Sequence, residues 1–576
     1  MTDIRRTVLW VVFSASLFLI WNAWNVHNGQ PSFFNPGARP AAAVHQPAAS
    51  SAAPSLLPGT AAGPAVAAAT VAMPSASAPS VPGQKVTITT DLVKASFDTR
   101  GGELDRLELL KQVDQFDRGH NEVLFDETPD RFYVAQTGLV PAAGGGGLPN
   151  HHTVMQLVPG PRTLAPGADS LDVAFESPEV GGVKLVKTYT FHRDSYVIEV
   201  KHEVVNDSAA SIDPRLYFQL VRDGNAPPGG SSFYSTFTGP AIFTEGSKFQ
   251  KVDFKGIEKR EPGDKPPYPE TADNGWIAIV QHYFASAWLI DPPGGAKLQR
   301  EYFTGKDDVT NPATGGKAHV YSVGMLVPLG AIAPGQTKTF AARLFAGPQA
   351  ENKIASLAPG LELVKDYGVF KILAEPLFWI LTQLHKVFGN WGWSIVGLVV
   401  LLKIAFFWLN ATAYRSMAKM KAINPKIMEM RERLKDKPQQ MQQEMMRIYR
   451  EEKVNPLGGC LPIVVQMPFF ISLYWVLLSS VEMRNAPWIG WITDLSVRDP
   501  YFILPLLMTA TSLLQTWLNP TPPDPVQAKM MWIMPLVFSV MFFFFPAGLV
   551  LYWLTNNILS IAQQYLINKK LGVLNK

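Results

Sequence analysis

Hydrophobic positions along this chain change period twice. From Lys85 to about Phe345 apolar and polar residues alternate, as in VTITTDLVKASFDT, VKLVKTYTFHR and SYVIEVKHEVVN, and turn sequences such as GGEL, APPGG and DPPGG separate the runs. Alternation of period two bounded by Gly, Pro, Asn and Asp predicts antiparallel strands, so residues 85–345 are expected to form one large β-sandwich. Residues 361–388 switch to three- and four-residue spacing broken by Lys365, Asp366, Lys371, Glu375 and Lys386. Those charges forbid a crossing and predict an amphipathic helix lying in a membrane interface. After Gly389 the pattern becomes nearly continuous hydrocarbon, with uncharged or almost uncharged runs at 389–413, 457–481, 500–518, 530–545 and 547–567.

Each of these runs is read as a membrane crossing, the one at 530–545 being short. The last two are separated only by Pro546 and its neighbours and are expected to form an antiparallel pair. A sixth crossing is expected within residues 1–28. There Arg5 and Arg6 precede a 20-residue apolar run ending in Trp21 and Trp24 rather than in a small-x-small cleavage site, which predicts an uncleaved anchor. Residues 40–84 hold no Asp, Glu, Lys or Arg. The Ala/Pro-rich stretch 29–84 therefore cannot bury a core and is expected to be a disordered linker, with a reach of about 35–40 Å for its charge-free part.

Charge settles the expected orientation. Residues 413–456 carry 11 Lys or Arg against 6 Asp or Glu, while 482–499 hold only Arg484 and Arg498 against Glu482, Asp494 and Asp499. The positive-inside rule puts 414–456, the loop 519–529 and the tail 568–576 in the cytoplasm, and 85–345 and 482–499 on the other side. Both termini are then cytoplasmic. Composition agrees, with 47% hydrophobic residues, 17% charged and a mean hydropathy of +0.06. A single cysteine, Cys460, excludes an intramolecular disulfide. A net charge of +4 sorted by membrane side is weak evidence for nucleic acid. His151 and His152 lack further ligands for a metal and are read as solvated. TGGKA at 314–318 lacks the spacing and hydroxyl of a phosphate loop. No cofactor is expected.

Between the first two core crossings, Met420, Ile423, Ile427, Met430 and Leu434 step by three and four, and Met441, Met445 and Ile448 continue the stripe. This predicts a two-helix hairpin. Either the stripe only glues the helices together, or Met417, Met420, Met428, Met430, Met441 and Met445 present an adaptable apolar surface to partners, beside a basic face suited to ribosomal RNA or anionic lipid.

In GLVVLLKIAFFWLN a single ammonium, Lys403, interrupts the hydrocarbon. A central Lys costs about 2.5–3.5 kcal/mol on an insertion scale, and the apolar residues around it return about 3–6, so the segment still inserts. Lys403 either snorkels inward without a role or faces a water-filled cavity open to the cytoplasm. The runs at 460–481, 500–518 and 530–567 contain no Asp or Glu to pair with it. Polar neighbours are Asn410, Gln466, Thr509, Thr511, Gln515, Thr555, Asn556 and Asn557.

YRSMAKMKAINPKIMEMRERL, EMMRIYREEKVNPLGGCLPIVVQMPFFISLYWVL and FPAGLVLYWLTNN resemble the YidC-type membrane protein insertases of Gram-negative inner membranes, relatives of the Oxa and Alb insertases. The resemblance covers about residues 361–570 in sequence and the rest in layout. It implies a polytopic α-helical membrane protein with six transmembrane helices, five of them the insertase core, plus an all-β periplasmic super-sandwich. It further implies a non-enzymatic insertase and chaperone for nascent membrane proteins, working alone or with the Sec translocon. The ribosome is a partner expected at the hairpin and tail, and the lipid bilayer bounds a hydrated, positively charged groove. Carried over residue by residue, the groove comprises Lys403, Gln466, Met467, Pro468, Gln515, Tyr552 and Trp553. The family more often has Arg where this chain has Lys403, which keeps the charge and loses the planar fork. Two other classes remain open. A membrane-anchored periplasmic carbohydrate-active enzyme needs paired carboxylates in the sandwich, and a small-solute transporter needs internal repeats among the crossings.

Overall fold

The computed structural model describes residues 83–570, apart from 116, 129, 143–146, 228–235, 262, 293–294, 311–316, 369, 435–436, 453–460 and 520–524. The expected anchor at 1–28, almost all of the linker at 29–84, Cys460 and residues 571–576 of the tail lie outside the described residues. The described chain divides into a strand-built unit up to Lys365 and a helical unit from Asp366 onward.

Eighteen strands among the described residues of the first unit form two sheets of nine. Where alternation is cleanest, as in Val183–His192, every second side chain is buried. Trp276–Val280 and Phe284–Leu289 are instead buried at every position. Their outer face is covered by Ile354, Ala358, Leu361 and Val364, and the Trp276 indole donates to the Pro359 carbonyl at 2.9 Å. That cover explains why the helix expected over 361–388 starts only at Lys371: Leu361–Val364 is a 3-10 turn belonging to the β unit.

Aromatic rings and buried polar groups join the two sheets. Phe97 of one sheet meets Phe175, Tyr189 and Phe191 of the other at centroid distances of 5.4, 4.6 and 6.2 Å. Lys187, fully buried, donates from Nζ to the Gly101 and Thr137 carbonyls of the facing sheet, both at 2.7 Å. His202 bonds the Thr137 hydroxyl at 2.9 Å, and the Trp288 indole donates to the Gln219 carbonyl at 3.2 Å. His151, expected to be solvated, is 1% exposed and bonds the Tyr217 hydroxyl through Nδ1 at 2.6 Å. A sequence cannot show that the strand carrying Tyr217 passes beneath it. Asp98, Asp105 and Glu127 stand close enough together to suggest a cation site, but the Lys85 ammonium already bridges all three.

The helical unit contains α1 (Lys371–Phe388), α2 (Trp391–Ala405), α3 (Phe407–Arg433), α4 (Pro438–Glu451), α5 (Leu461–Ser479), α6 (Ile503–Leu518), α7 (Pro525–Phe542) and α8 (Ala547–Lys570). Among the described residues no single helix is long and apolar enough to cross a membrane by itself. One pair, Trp391–Ala405 with Phe407–Met420, passes jointly across a 67° bend. The straight helix expected over 389–413 is thus broken at Phe406, and its second half runs on into the hairpin. The bend contains neither Pro nor Gly. Beside it the Gln563 side chain donates to the Phe407 carbonyl at 3.2 Å.

Leu377, Phe378 and Leu381 of α1, Leu398 of α2, Leu473 and Val476 of α5, Met508 of α6 and Val550 of α8 share one core. The loop 480–502 ties the helix ends. Asp499 accepts from the backbone N–H groups of Tyr501 (3.0 Å) and Leu504 (2.7 Å), and Asn390 donates to the carbonyls of Pro487 (3.0 Å) and Trp488 (3.2 Å). In the hairpin, α3 and α4 close on Ile423, Ile427 and Met430, and Lys426 pairs with Glu452 at 2.6 Å.

Burial pushes the Glu103 carboxyl from its ordinary 4.5 up to about 8. An unfolded chain releases that proton near pH 4.5, so the folded state is favoured most below that value and loses stability as pH rises toward 8. Glu103→Gln is expected to remove this decline, as measured by chemical denaturation of the β unit at pH 5 and pH 8.

Candidate functional site

Four helices converge around Lys403. Val399, Leu402 and Lys403 come from α2, Phe406 from the bend, Asn410 from α3, Gln466, Phe469 and Phe470 from α5, and Tyr552 and Asn556 from α8. They line a cavity of about 20 Å³, room for about one water molecule. Four of the ten lining residues are aromatic and interlock: Phe406 meets Phe469 edge-on at 5.1 Å, and Phe470 lies 5.9 Å from Tyr552 and stacks on Trp553 at 5.5 Å.

The polar groups of the site are bonded across helices. Lys403 Nζ donates to Ser560 Oγ of α8 at 2.6 Å, and Gln466 Nε2 donates to Asn410 Oδ1 at 2.7 Å. Further along α8, Asn557 donates to Ser512 Oγ of α6 at 2.9 Å, and Gln564 donates to Asn519 Oδ1 at 3.0 Å. Asn557, Ser560, Gln563, Gln564 and Asn568 are all buried, so α8 carries a polar stripe inside the bundle. The Asn410 Nδ2 and Tyr552 hydroxyl groups are buried with no hydrogen-bond partner among the described residues. Unspent hydrogen-bonding capacity of this kind favours a polar guest.

Of the residues expected at a groove, Lys403, Gln466 and Tyr552 line the cavity. Met467 lies on the exposed side of α5, 46% exposed, and Pro468 accepts a hydrogen bond from Ser472 at 2.7 Å within the same helix. Trp553 packs behind the cavity against Phe470 and Phe542. Gln515 lies on α6, which contributes nothing to the lining. Thr509, Thr511 and Thr555 turn their hydroxyls back onto carbonyls of their own helices. In the hairpin, Met430 is buried, and Met420, Met441 and Met445 pack against its core. Met417 is half-buried, while Met428 and Met446 remain 48% and 46% exposed.

Ser560, Phe406, Phe469 and Phe470 escaped sequence reasoning. For Ser560 a signal existed: Tyr552, Asn556 and Ser560 recur at intervals of four and share one helix face. The phenylalanines carried none, being indistinguishable from lipid-facing residues in an apolar run.

Two family models match the chain, the YidC periplasmic domain over residues 85–380 and the 60Kd inner membrane protein over residues 383–573. The membrane protein insertase YidC of Cupriavidus metallidurans is 54% identical over 583 residues, covering 99% of this chain and 98% of its own. That of Janthinobacterium sp. (strain Marseille) is 51% identical and covers all of both chains, and that of Burkholderia cenocepacia is 51% identical over 100% of this chain and 99% of its own. Among solved structures, an active YidC insertase with its first transmembrane domain resolved overlaps 84% of this chain and 94% of its own, at 17% identity and a TM-score of 0.37.

Gln466→Leu would leave the Asn410 amide, 6% exposed, without the partner of its oxygen. We expect a loss of about 1–3 kcal/mol, read as a lowered thermal unfolding midpoint of the purified protein in detergent, with Gln466→Asn less damaging.

Proposed function

The chain belongs to the YidC family of membrane protein insertases, inner-membrane proteins with a periplasmic domain, and from that premise we propose that it inserts nascent membrane proteins by drawing their polar ends past Lys403. The supporting observation is the placement of this cation: an ammonium where four helices converge, hydrogen-bonded to a hydroxyl and facing a cavity with unspent polar groups. A hydrophobic segment of the substrate slides along the lipid-facing side while its hydrophilic end follows the polar interior and avoids bare hydrocarbon. Burial of the apolar segment in lipid drives the reaction, so no covalent step is required.

In this conformation the cavity has no room for peptide. Entry requires α5 to move away from α2 and α8, which separates the Phe406–Phe469 and Phe470–Trp553 contacts. These are aromatic contacts rather than ion pairs, and each is worth about 0.5–1.5 kcal/mol. The Gln466–Asn410 hydrogen bond opens with them, and water follows the guest to the cation.

Six crossings belong to this reading, with the anchor at 1–28 first, the bent pair α2 and α3 second, and α5 to α8 completing the set. The chain reverses between α7 and α8. Helix α1 lies along the periplasmic surface, where Ile372, Trp379 and Val387, 87%, 63% and 78% exposed, meet the acyl chains. The hairpin α3–α4 and the C-terminal tail are cytoplasmic and meet the ribosome, with Met428 and Met446 as its free apolar contacts. The Sec translocon is the partner for larger substrates.

Depletion of the protein in cells, with rescue by variants and scoring of a small membrane protein that has an acidic leading segment, tests the site. Lys403→Arg is expected to support insertion and Lys403→Glu to fail. Lys403→Leu should slow insertion about tenfold, the equivalent of roughly 1.4 kcal/mol. Full insertion with Leu or Glu would refute the charged path for such substrates.

A further inference from the structure

The partner of the half-buried ammonium is a hydroxyl, that of Ser560. Ser560 is 4% exposed and donates its own hydrogen to the Asn556 carbonyl at 2.7 Å. Its oxygen is therefore left as an acceptor for the Lys403 N–H at 2.6 Å. Resting on the insertase reading above, we propose that Ser560 is the positioning residue of this site, holding the Lys403 ammonium at the cavity so that its charge meets the acidic part of an incoming chain.

Three features of the geometry carry this. A lysine ends in a point charge on a flexible four-carbon stem, and Lys403 is half-buried on a helix whose neighbouring Leu401 and Ile404 are 45% and 66% exposed. Without a fixed acceptor the stem is free to swing. Ser560 supplies one from the same face of α8 as Tyr552 and Asn556, one turn or about 6 Å beyond the cavity lining. Next, Gln563 of the same stripe bonds the Phe407 carbonyl at the bend, so α8 fixes both the charge and the backbone just beyond it. Finally, the acceptor is neutral. A carboxylate would grip the ammonium more firmly but cancel its charge, whereas a hydroxyl orients it and leaves the full positive charge for the substrate. Thr509, Thr511 and Thr555 also bond back to their own helices, but only Ser560 among these hydroxyls reaches a cation as well.

The test replaces the cell's own copy with full-length Ser560→Ala, Ser560→Thr or Ser560→Val. Insertion is followed for one small membrane protein carrying either an acidic or a neutral leading segment. Thr and Val have the same shape and differ in the hydroxyl. We expect Ser560→Thr to insert the acidic version within about twofold of the parent rate and Ser560→Ala and Ser560→Val about tenfold more slowly, the scale of one hydrogen bond to a charged group. The neutral version should change less than twofold in all three. In a Lys403→Leu background, Ser560→Val should add nothing further, because the group it orients is gone. Equal rates for Thr and Val on the acidic version overturn the proposal. So does an equal slowing of both versions by Ala and Val, which marks a packing role. A parent chain that inserts neither version defeats the insertase reading itself, an outcome distinct from both.

Discussion

A cation placed among apolar helices must find an acceptor, and that requirement organises the helical unit. Lys403 meets it with Ser560 on a helix far away in sequence, over 2.6 Å. The bond links α8 to α2 beside their shared apolar core, and the same helix bonds the Phe407 carbonyl at the bend through Gln563 and meets α6 through Asn557 and Ser512. Hydrogen bonds between membrane helices are individually modest, about 0.6 kcal/mol on average. Their effect here is directional, since each fixes which residues of α8 face inward.

The same stripe touches the helix break, where Gln563 bonds the Phe407 carbonyl. Helices kink at Pro, at Gly, or where a foreign group enters the ladder. Pro376, Pro425, Pro468 and Pro535 all lie inside helices, yet the 67° bend is at Phe406, beside the Gln563 contact. The bend lets α3 leave the bundle as one continuous helix into the hairpin. One helix thereby carries both Asn410 of the cavity lining and the hairpin residues Ile423, Ile427 and Met430.

The β unit solves the opposite problem. Its sheets are wide enough to bury lysine, histidine and tyrosine far from water, and it places these groups as bolts between layers rather than as a site. Lys187 is spent on two carbonyls, His202 on Thr137 and Tyr189 on the Gly102 carbonyl. These three side chains thus serve to join the layers of the β unit. The acid cluster of Asp98, Asp105 and Glu127 is likewise tied together, by the Lys85 ammonium and, at Glu127, by Arg100.

Sequence alone carried the division into a strand-built and a helical part, the apolar core helices, the hairpin and the singular lysine, because each is written in local periodicity and charge. It also carried the family, through motifs contiguous in the chain. Tertiary structure alone decided the rest. The burial of His151 depends on a strand some 66 residues away, the start of α1 at Lys371 on Leu361 and Val364 being claimed by the β unit, and the inward packing of the methionine stripe on the second hairpin helix. Met467 and Gln515 could not be kept from the cavity by reading, and Ser560 could not be put beside it, because an apolar run does not reveal which side of a helix meets its neighbours. That choice is made only when the helices pack, by whichever buried polar group most needs a partner.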